Sequence, residues 1–279
     1  MQTKSQDIQL KCYLCHNSSK NVLCEKCSKN PFLVEDARNK ASKENNLQMF
    51  GEFYKDLYSE IKNINTNNFW NNEFENELTL NDQDSMTKDK INKIFQLVPK
   101  KKINMLDLGF GQGYLEEKLL ANNSLANVTG VDISSVATKR ARSKFKGRYI
   151  SGDILKVKKI VNSTKFDIVL TIEVIEHISP KDIIQFFKDV RSLLKPNGIL
   201  IISTPLNEHL RVLKINPSNH VRDYTISIVK TELEISGFKT LEYKTLYAFR
   251  RWYWLKNTLA KAFPKRWEPN NVIFVARKN

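Results

Sequence analysis

The segment Asn104-Met-Leu-Asp-Leu-Gly-Phe-Gly-Gln-Gly-Tyr114 decides the fold. Its first half is apolar enough for a buried strand over residues 103–108, and its second half breaks into a turn that opens a helix over 114–121. Gly109, Gly111 and Gly113 occupy alternate positions of that turn. Positions without side chains let the backbone bend tightly and let a ligand press against main-chain amides at a helix N-terminus. Asp107 ends the strand beside them. A carboxylate there repels a phosphate and suits a ligand bearing an ammonium or sulfonium group. Two nucleotide-binding patterns are excluded by the letters. The dinucleotide fingerprint needs a glycine where this chain has Tyr114, and no Gly-Lys-Ser/Thr follows to complete a P-loop.

The elements after the turn alternate. Residues 128–133 read as a strand ending at Asp132, with Ser134 or Ser135 placed to cap the next helix. Residues 148–151 form a third strand, followed by Asp153 and Ile154, and 166–172 a fourth, apolar throughout and so buried on both faces. A helix over 180–194 leads to a strand over 199–203 opened by Gly198. A helix over 225–236, stopped by Gly237, leads to strands at 240–246 and 272–276. Strands alternating with helices predict an α/β, doubly wound parallel sheet of seven strands, with ligands at the strands' C-terminal ends.

Four strand ends together resemble the class I S-adenosylmethionine (SAM) dependent methyltransferases over roughly residues 104–238 and the last strand, which in that family runs antiparallel. The resemblance implies that Asp107, Gly109, Phe110, Gly111 and Gly113 hold the methionine half of SAM. Asp132, with Ile133 beside it, is similar to the family's ribose-binding acid, and Asp153 with Ile154 to the pair that meets the adenine. Phe166-Asp-Ile-Val-Leu-Thr-Ile-Glu-Val-Ile-Glu-His177 resembles the motif beside the transferred methyl and contributes Thr171. Phe110 departs from the family's more usual Cys or Ala.

Methyl transfer from a sulfonium is an in-line displacement that asks chiefly for positioning and exclusion of water. A hydroxyl acceptor adds the need for a base. His177, His209 and His220 follow strand ends facing the expected pocket; His177 or His220, with Glu176, are the candidates. Residues 206–218 are long enough for a lid, placed at 206–224 as a whole. Glu173-x-x-Glu176-His177 with His220 also resembles the metal site of small-RNA 2′-O-methyltransferases, where carboxylates and imidazoles bind Mg²⁺ or Mn²⁺. The same Glu-Val-Ile-Glu-His is common in metal-free methyltransferases of small molecules, and a second, closely spaced histidine after Asn219 is missing.

The chain's four cysteines fall in two C-x-x-C pairs, Cys12/Cys15 and Cys24/Cys27. Four thiolates at this spacing suit a structural zinc with no open coordination position. His16 is expected at the surface. Residues 31–46 read as a polar linker or frayed helix. Residues 47–64 carry aromatics at helical spacing, 65–84 have no assignable pattern, and 88–97 read as a helix. The expected organisation is a zinc-binding module (1–35), a helical cap or linker (36–100) and a SAM-binding domain (101–279).

With 279 residues, 41% hydrophobic content and no apolar run near the roughly 20 residues that span a bilayer, the expectation is a cytoplasmic protein. The net charge of +15 points to an anionic partner or surface, or to compositional drift. From Arg250 onward eight basic side chains face one acid, Glu268, a net +7, and residues 250–267 hold three of the four tryptophans. This segment fits the inner face of a membrane, single-stranded RNA, or a helix that packs its aromatics on the sheet. The expected activity is SAM-dependent O-methylation of a saccharide, lipid-linked or other small-molecule acceptor. Metal-dependent RNA 2′-O-methylation and a non-catalytic SAM-fold binding protein are the alternatives.

Overall fold

Ile103 and Met105 turn to one side of the central strand, and Leu106 and Leu108 to the other. That parting is the two-residue repeat of an extended chain, and it explains why the strand is apolar throughout: both faces are covered. In the computed structural model, which describes residues 10–19, 22–44, 46, 65–162, 164–206, 220–222, 224–263 and 266–278, this strand lies near the middle of a seven-stranded sheet. A separate hairpin, β1 (Leu10–Lys11) with β2 (Ser18–Ser19), precedes it in the chain. The sheet consists of β3 (Ile103–Leu108), β4 (Ala126–Asp132), β5 (Arg148–Ser151), β6 (Phe166–Ile172), β7 (Leu194–Pro205), β8 (Phe238–Leu246) and β9 (Asn271–Lys278). Their spatial order is β5-β4-β3-β6-β7-β9-β8. Neighbours from β5 to β7 are parallel, and β9 runs antiparallel between β7 and β8. The doubly wound sheet with an antiparallel last strand is therefore as the sequence predicts.

Among the described residues the α-helices are α1 (Glu25–Ser28), α2 (Pro31–Lys43), α3 (Asn67–Glu73), α4 (Ser85–Gln96), α5 (Tyr114–Ala121), α6 (Ser135–Lys144), α7 (Val157–Ile160), α8 (Pro180–Leu193), α9 (Ile226–Ile235) and α10 (Tyr253–Ala262). Buried side chains of α4, α5 and α6 share one core with Met105, Ile168 and Leu170. Those of α8 and α9 share the other with Leu106, Val169 and Phe274. Helix α8 shows why: Ile183, Phe186, Phe187, Val190 and Leu193 recur at helical spacing on one face, and Pro180 occupies the first turn, where its missing N–H forfeits no bond.

Three local readings of the sequence are corrected. Residues 31–43 are a packed helix rather than a linker or a frayed one: α2 buries Ala37, Arg38 and Ala41 completely, Ala37 and Ala41 in the same core as Tyr224, Ile228 and Val229 of the α9 side. Polar composition hid this, because the largest of those side chains is an arginine. Residues 65–84, which had no pattern, form α3 and a turn of 3₁₀ helix, with caps from Thr66 and Thr79. Strand β7 begins at Leu194, with Gly198 inside it, where a Cβ would sit 3.0 Å from the Phe166 carbonyl oxygen. The aromatic stretch 47–64 and most of the expected lid, residues 207–219 and 223, lie outside the described residues, His209 among them.

Candidate active site

The turn after β3 is built from left-handed glycines: φ is +71° at Gly109, +54° at Gly111 and +77° at Gly113, which caps α5. A side chain at any of them is strained. Gly109 N–H donates to the Val131 carbonyl, and Gly111 N–H donates to Asp132 Oδ2 at 2.9 Å. The other oxygen, Oδ1, accepts from Ser134 N–H at 2.8 Å. Asp132 is thus clamped at the tip of β4, and Ser134 Oγ in turn caps α6. Burial raises the Asp132 pKa while these two amides pull it back.

Two adjoining cavities open over this turn, of about 140 Å³ and about 370 Å³. The smaller is lined by Asp132, Ile133, Asp153, Ile154 and Leu155. The larger is lined by Asp107, Phe110, Gly111, Glu116, Glu176 and His220. Gly109, Glu173, His177, Trp70 and Phe74 border both. Two sequence candidates stand apart from these walls. Gly113 faces Phe145, 2.6 Å from where its Cβ would be. Thr171 is fully buried and shares its side of the sheet with Val169, opposite the side of Met105 and Leu170.

The roof was not legible in the letters. Helix α3 stacks Trp70 on Phe74, their ring centroids 5.4 Å apart, and sets Trp70 edge-on to His177 at 4.9 Å. Asn67 donates to the Ile133 carbonyl, and Asn71 Oδ1 accepts from Ser134 Oγ and Val136 N–H, so the helix is tied to the strand end it covers. The available signal was Phe69, Trp70 and Phe74 standing in an otherwise polar run.

The floor of the larger cavity holds a pair of carboxyls. Asp107 and Glu116 are 1% and 3% exposed, and neither Glu116 oxygen nor Asp107 Oδ1 has a hydrogen-bond partner. Burial, reinforced by Glu116 and then Asp132, drives the Asp107 pKa far above the carboxylate range, and burial lifts Glu116 to about 7. Such unsatisfied acids in a cavity suit a cationic ligand.

Opposite them stand Glu176, His177 and His220. One ligand atom from each lies within 4.8 Å of the others, and the imidazole centroids are 4.9 Å apart. Glu176 accepts from Thr204 Oγ1 through Oε2, while Oε1 has no hydrogen bond and lies 3.9 Å from His177 Nε2. Burial, then the charge of Glu173, raises the Glu176 pKa strongly. The segment bearing His220 is pinned by Val221 N–H to the Glu176 carbonyl and by Arg222, whose Nη1 meets Glu232 at 2.6 Å. Glu173 is committed elsewhere. Burial opposes its charge, but Lys90 at 3.1 Å, Asn271 and Ser203 outweigh that and lower its pKa. Its left-handed backbone, φ +55°, is the strain often found at functional sites.

The four cysteines cluster at the hairpin. All four Sγ atoms lie within 4.8 Å of one another, and those of Cys15 and Cys24 are 3.6 Å apart. A tetrahedron with Zn–S bonds of about 2.3 Å has edges of about 3.8 Å, so the set fits zinc. His16 is exposed and turns back by its N–H to the Cys12 carbonyl, outside the thiol set.

A family model of the methyltransferase domain matches residues 81–265, two-thirds of the chain and every strand-end residue described above except those of β9. The chain belongs to this methyltransferase family. The methyltransferase domain is 36% identical over 120 residues to the ubiquinone biosynthesis O-methyltransferase of Pelagibacter ubique, a match covering 40% of this chain and 46% of that protein. The chain spans less than half the length of the curated relatives it matches. A SAM-dependent methyltransferase from Archaeoglobus fulgidus superposes over 71% of this chain and 96% of its own, with a TM-score of 0.56 at 18% identity. The 1,6-didemethyltoxoflavin-N1-methyltransferase of Burkholderia thailandensis, solved with bound 1,6-didemethyltoxoflavin and S-adenosylhomocysteine, superposes over 68% of this chain and 77% of its own, with a TM-score of 0.51 at 17% identity. At these identities the structural likeness is one of fold.

Proposed function

We propose that this methyltransferase domain transfers a methyl group from SAM to a hydroxyl of a small or lipid-linked acceptor, a saccharide among the candidates. The observation that supports this best is the joined pair of cavities, with acidic strand tips on one side and Glu176, His177 and His220 on the other. SAM, when bound, supplies an electrophilic methyl with its leaving group already activated. The chain's own residues do the rest. Asp132 accepts from ribose hydroxyls, Asp153 and Ile154 meet the base, and Asp107 with Glu116 receives the ammonium end. Trp70 and Phe74 close the roof and keep water out. His177 or His220 takes the acceptor's proton, and Glu176 steadies the resulting imidazolium. The cysteine cluster holds zinc as a structural ion.

A second reading rests on the same three acceptor-side residues. One carboxylate and two imidazoles within 4.8 Å also suit a divalent cation, which would orient a nucleic-acid 3′ end. Glu173 would not join it, being paired with Lys90.

Calorimetry with SAM and S-adenosylhomocysteine tests the cofactor, and absence of binding would leave a scaffold without activity. Methyl transfer to hydroxylated acceptors that persists in EDTA, with kcat lowered in His220→Ala and SAM affinity unchanged, fits the base mechanism. Transfer to RNA abolished by EDTA and restored by Mn²⁺ would replace it.

A further inference from the structure

The sequence allowed residues 250–267 to pack their aromatics onto the sheet; the structure buries Tyr253 but leaves Trp252, Trp254 and Phe263 exposed. Helix α10 buries Tyr253, Asn257 and Ala260, which recur at i, i+4 and i+7 on a single face. At 3.6 residues per turn Leu255 and Leu259 lie on the opposite face. They are 53% and 40% exposed, and the same stripe continues at the two ends with Trp252 at 73% and Phe263 at 59%. Trp254, also exposed, stands beside it. Trp252 reaches this position from a left-handed backbone, φ +58°, which is costly for a bulky side chain. A helix normally turns its apolar stripe inward, so a stripe turned outward is an unmet surface.

Its surroundings say what meets it. Arg250, Arg251, Lys256, Lys261 and Arg266 are all exposed around the stripe, against one exposed acid in the segment, Glu268. We infer that α10 is an interfacial anchor that lays Trp252, Leu255, Leu259 and Phe263 into an anionic phospholipid surface while its cations meet the headgroups. Aromatic side chains at headgroup depth with cations around them are the pattern of such helices. Single-stranded RNA fits less well, because stacking needs flat rings and gains nothing from Leu255 and Leu259. A second copy fits less well too, since a two-fold pairing would set each cluster of cations against its own image.

The anchor also bears on the cavity. Tyr253 OH donates to Asp89 Oδ2 at 2.8 Å, fixing α10 to α4. The neighbouring residues of α4, Thr87, Lys90 and Ile91, line the larger cavity. The outward face of α10 and the larger cavity are therefore joined through one helix, an arrangement suited to an acceptor drawn from the bilayer.

Flotation of the full chain with vesicles tests this without any reliance on methyl transfer. Binding is expected to vesicles of equal parts phosphatidylcholine and phosphatidylglycerol, with a blue shift of tryptophan emission. It should be weak to pure phosphatidylcholine and should fall with added salt. The double variant Leu255→Glu/Leu259→Glu, both sites being exposed, should retain the wild-type circular dichroism and SAM affinity yet lose roughly a hundredfold in vesicle partitioning, the factor two buried leucines contribute. Equal binding to both vesicle types, or full binding by the variant, would overturn the anchor. So would a chain that stays free of vesicles while the variant loses RNA binding or self-association instead.

Discussion

Glu116 of α5 faces Asp107 at the tip of β3, and the two carboxyls share a buried space in which neither Glu116 oxygen nor Asp107 Oδ1 is hydrogen-bonded. One proton held between two such acids relieves a repulsion that burial would otherwise magnify. The pair therefore makes the ligand-free fold sensitive to pH. An unfolded glutamate titrates near 4.5 and Glu116 in the fold near 7, so between those values the folded chain binds more protons than the unfolded one. Stability should then fall as pH rises through that window, and Asp107, raised further still, extends the fall beyond it.

The first prediction follows. Thermal melts of the ligand-free protein should show Tm decreasing from about pH 4.5 to about pH 7, and Glu116→Gln should flatten the slope. SAM affinity should change the opposite way, rising with pH as the carboxyls become able to meet its ammonium. Above pH 7 the variant, lacking the charge at this position, should bind SAM more weakly than the wild type. Parallel slopes in the wild type and the variant would refute the pair.

Asp132 carries a second prediction. Its oxygens accept from Gly111 N–H and Ser134 N–H, so the carboxylate both shapes the turn and offers its remaining lone pairs to a ribose. Asp132→Ala should weaken SAM binding by at least tenfold, since each hydrogen bond to a charged group is worth roughly 1.5–3 kcal/mol. Titration by calorimetry decides it: an unchanged dissociation constant would remove Asp132 from the cofactor site.

Two glycine substitutions should separate stability from binding. A Cβ at Gly109 would sit 2.6 Å from Val174 Cγ2, and φ is +71°. Gly109→Ala should cost about 2 kcal/mol or more, from left-handed strain and overpacking together. At Gly111 the obstacle is Phe74 Cζ at 3.1 Å, at the C-terminal cap of the short helix α3. That roof can retreat, so Gly111→Ala should cost less stability and more SAM affinity. Melts and titrations that rank the two variants the other way would show that α3 is not a yielding roof.

The glycine turn, the strand-end acids Asp107, Asp132 and Asp153, and the cysteine pairs were legible because each rests on local spacing that survives without tertiary context. Glu116 was not. It is the first of two adjacent glutamates on a short helix, and only its angular position, facing Asp107, distinguishes it from the half-buried Glu117. Arg38 and the α3 roof were hidden for a related reason: a charged residue or an asparagine-rich stretch carries no periodic apolar signal, and both are ordered by what they dock against. The outward stripe of α10 misled because an apolar helical face ordinarily predicts burial.

The last prediction concerns the cysteine hairpin and how far its influence reaches. Zinc removal, by chelation or Cys27→Ser, should unfold the hairpin, since a segment this small draws its folding energy from the metal. The hairpin is tied to α2 by Tyr13 OH on Glu44 and Lys40 on the Tyr13 carbonyl. Helix α2 is tied to α9 by Ser42 on Ser227 and Thr231, and Arg38 lies against the Tyr224 ring. Tyr224 and Arg222, the latter two residues from His220 on the acceptor side, converge on Glu232. The glycine turn and Asp132 are held differently, by Gly111 N–H and Ser134 N–H on the Asp132 carboxylate and by Ser134 on α6. Loss of zinc should therefore raise KM for the acceptor or lower kcat by several-fold, with SAM affinity held within about twofold. Circular dichroism, calorimetry and acceptor kinetics on the same chelated sample decide it. A tenfold or greater loss of SAM affinity would show that the hairpin supports the cofactor side instead.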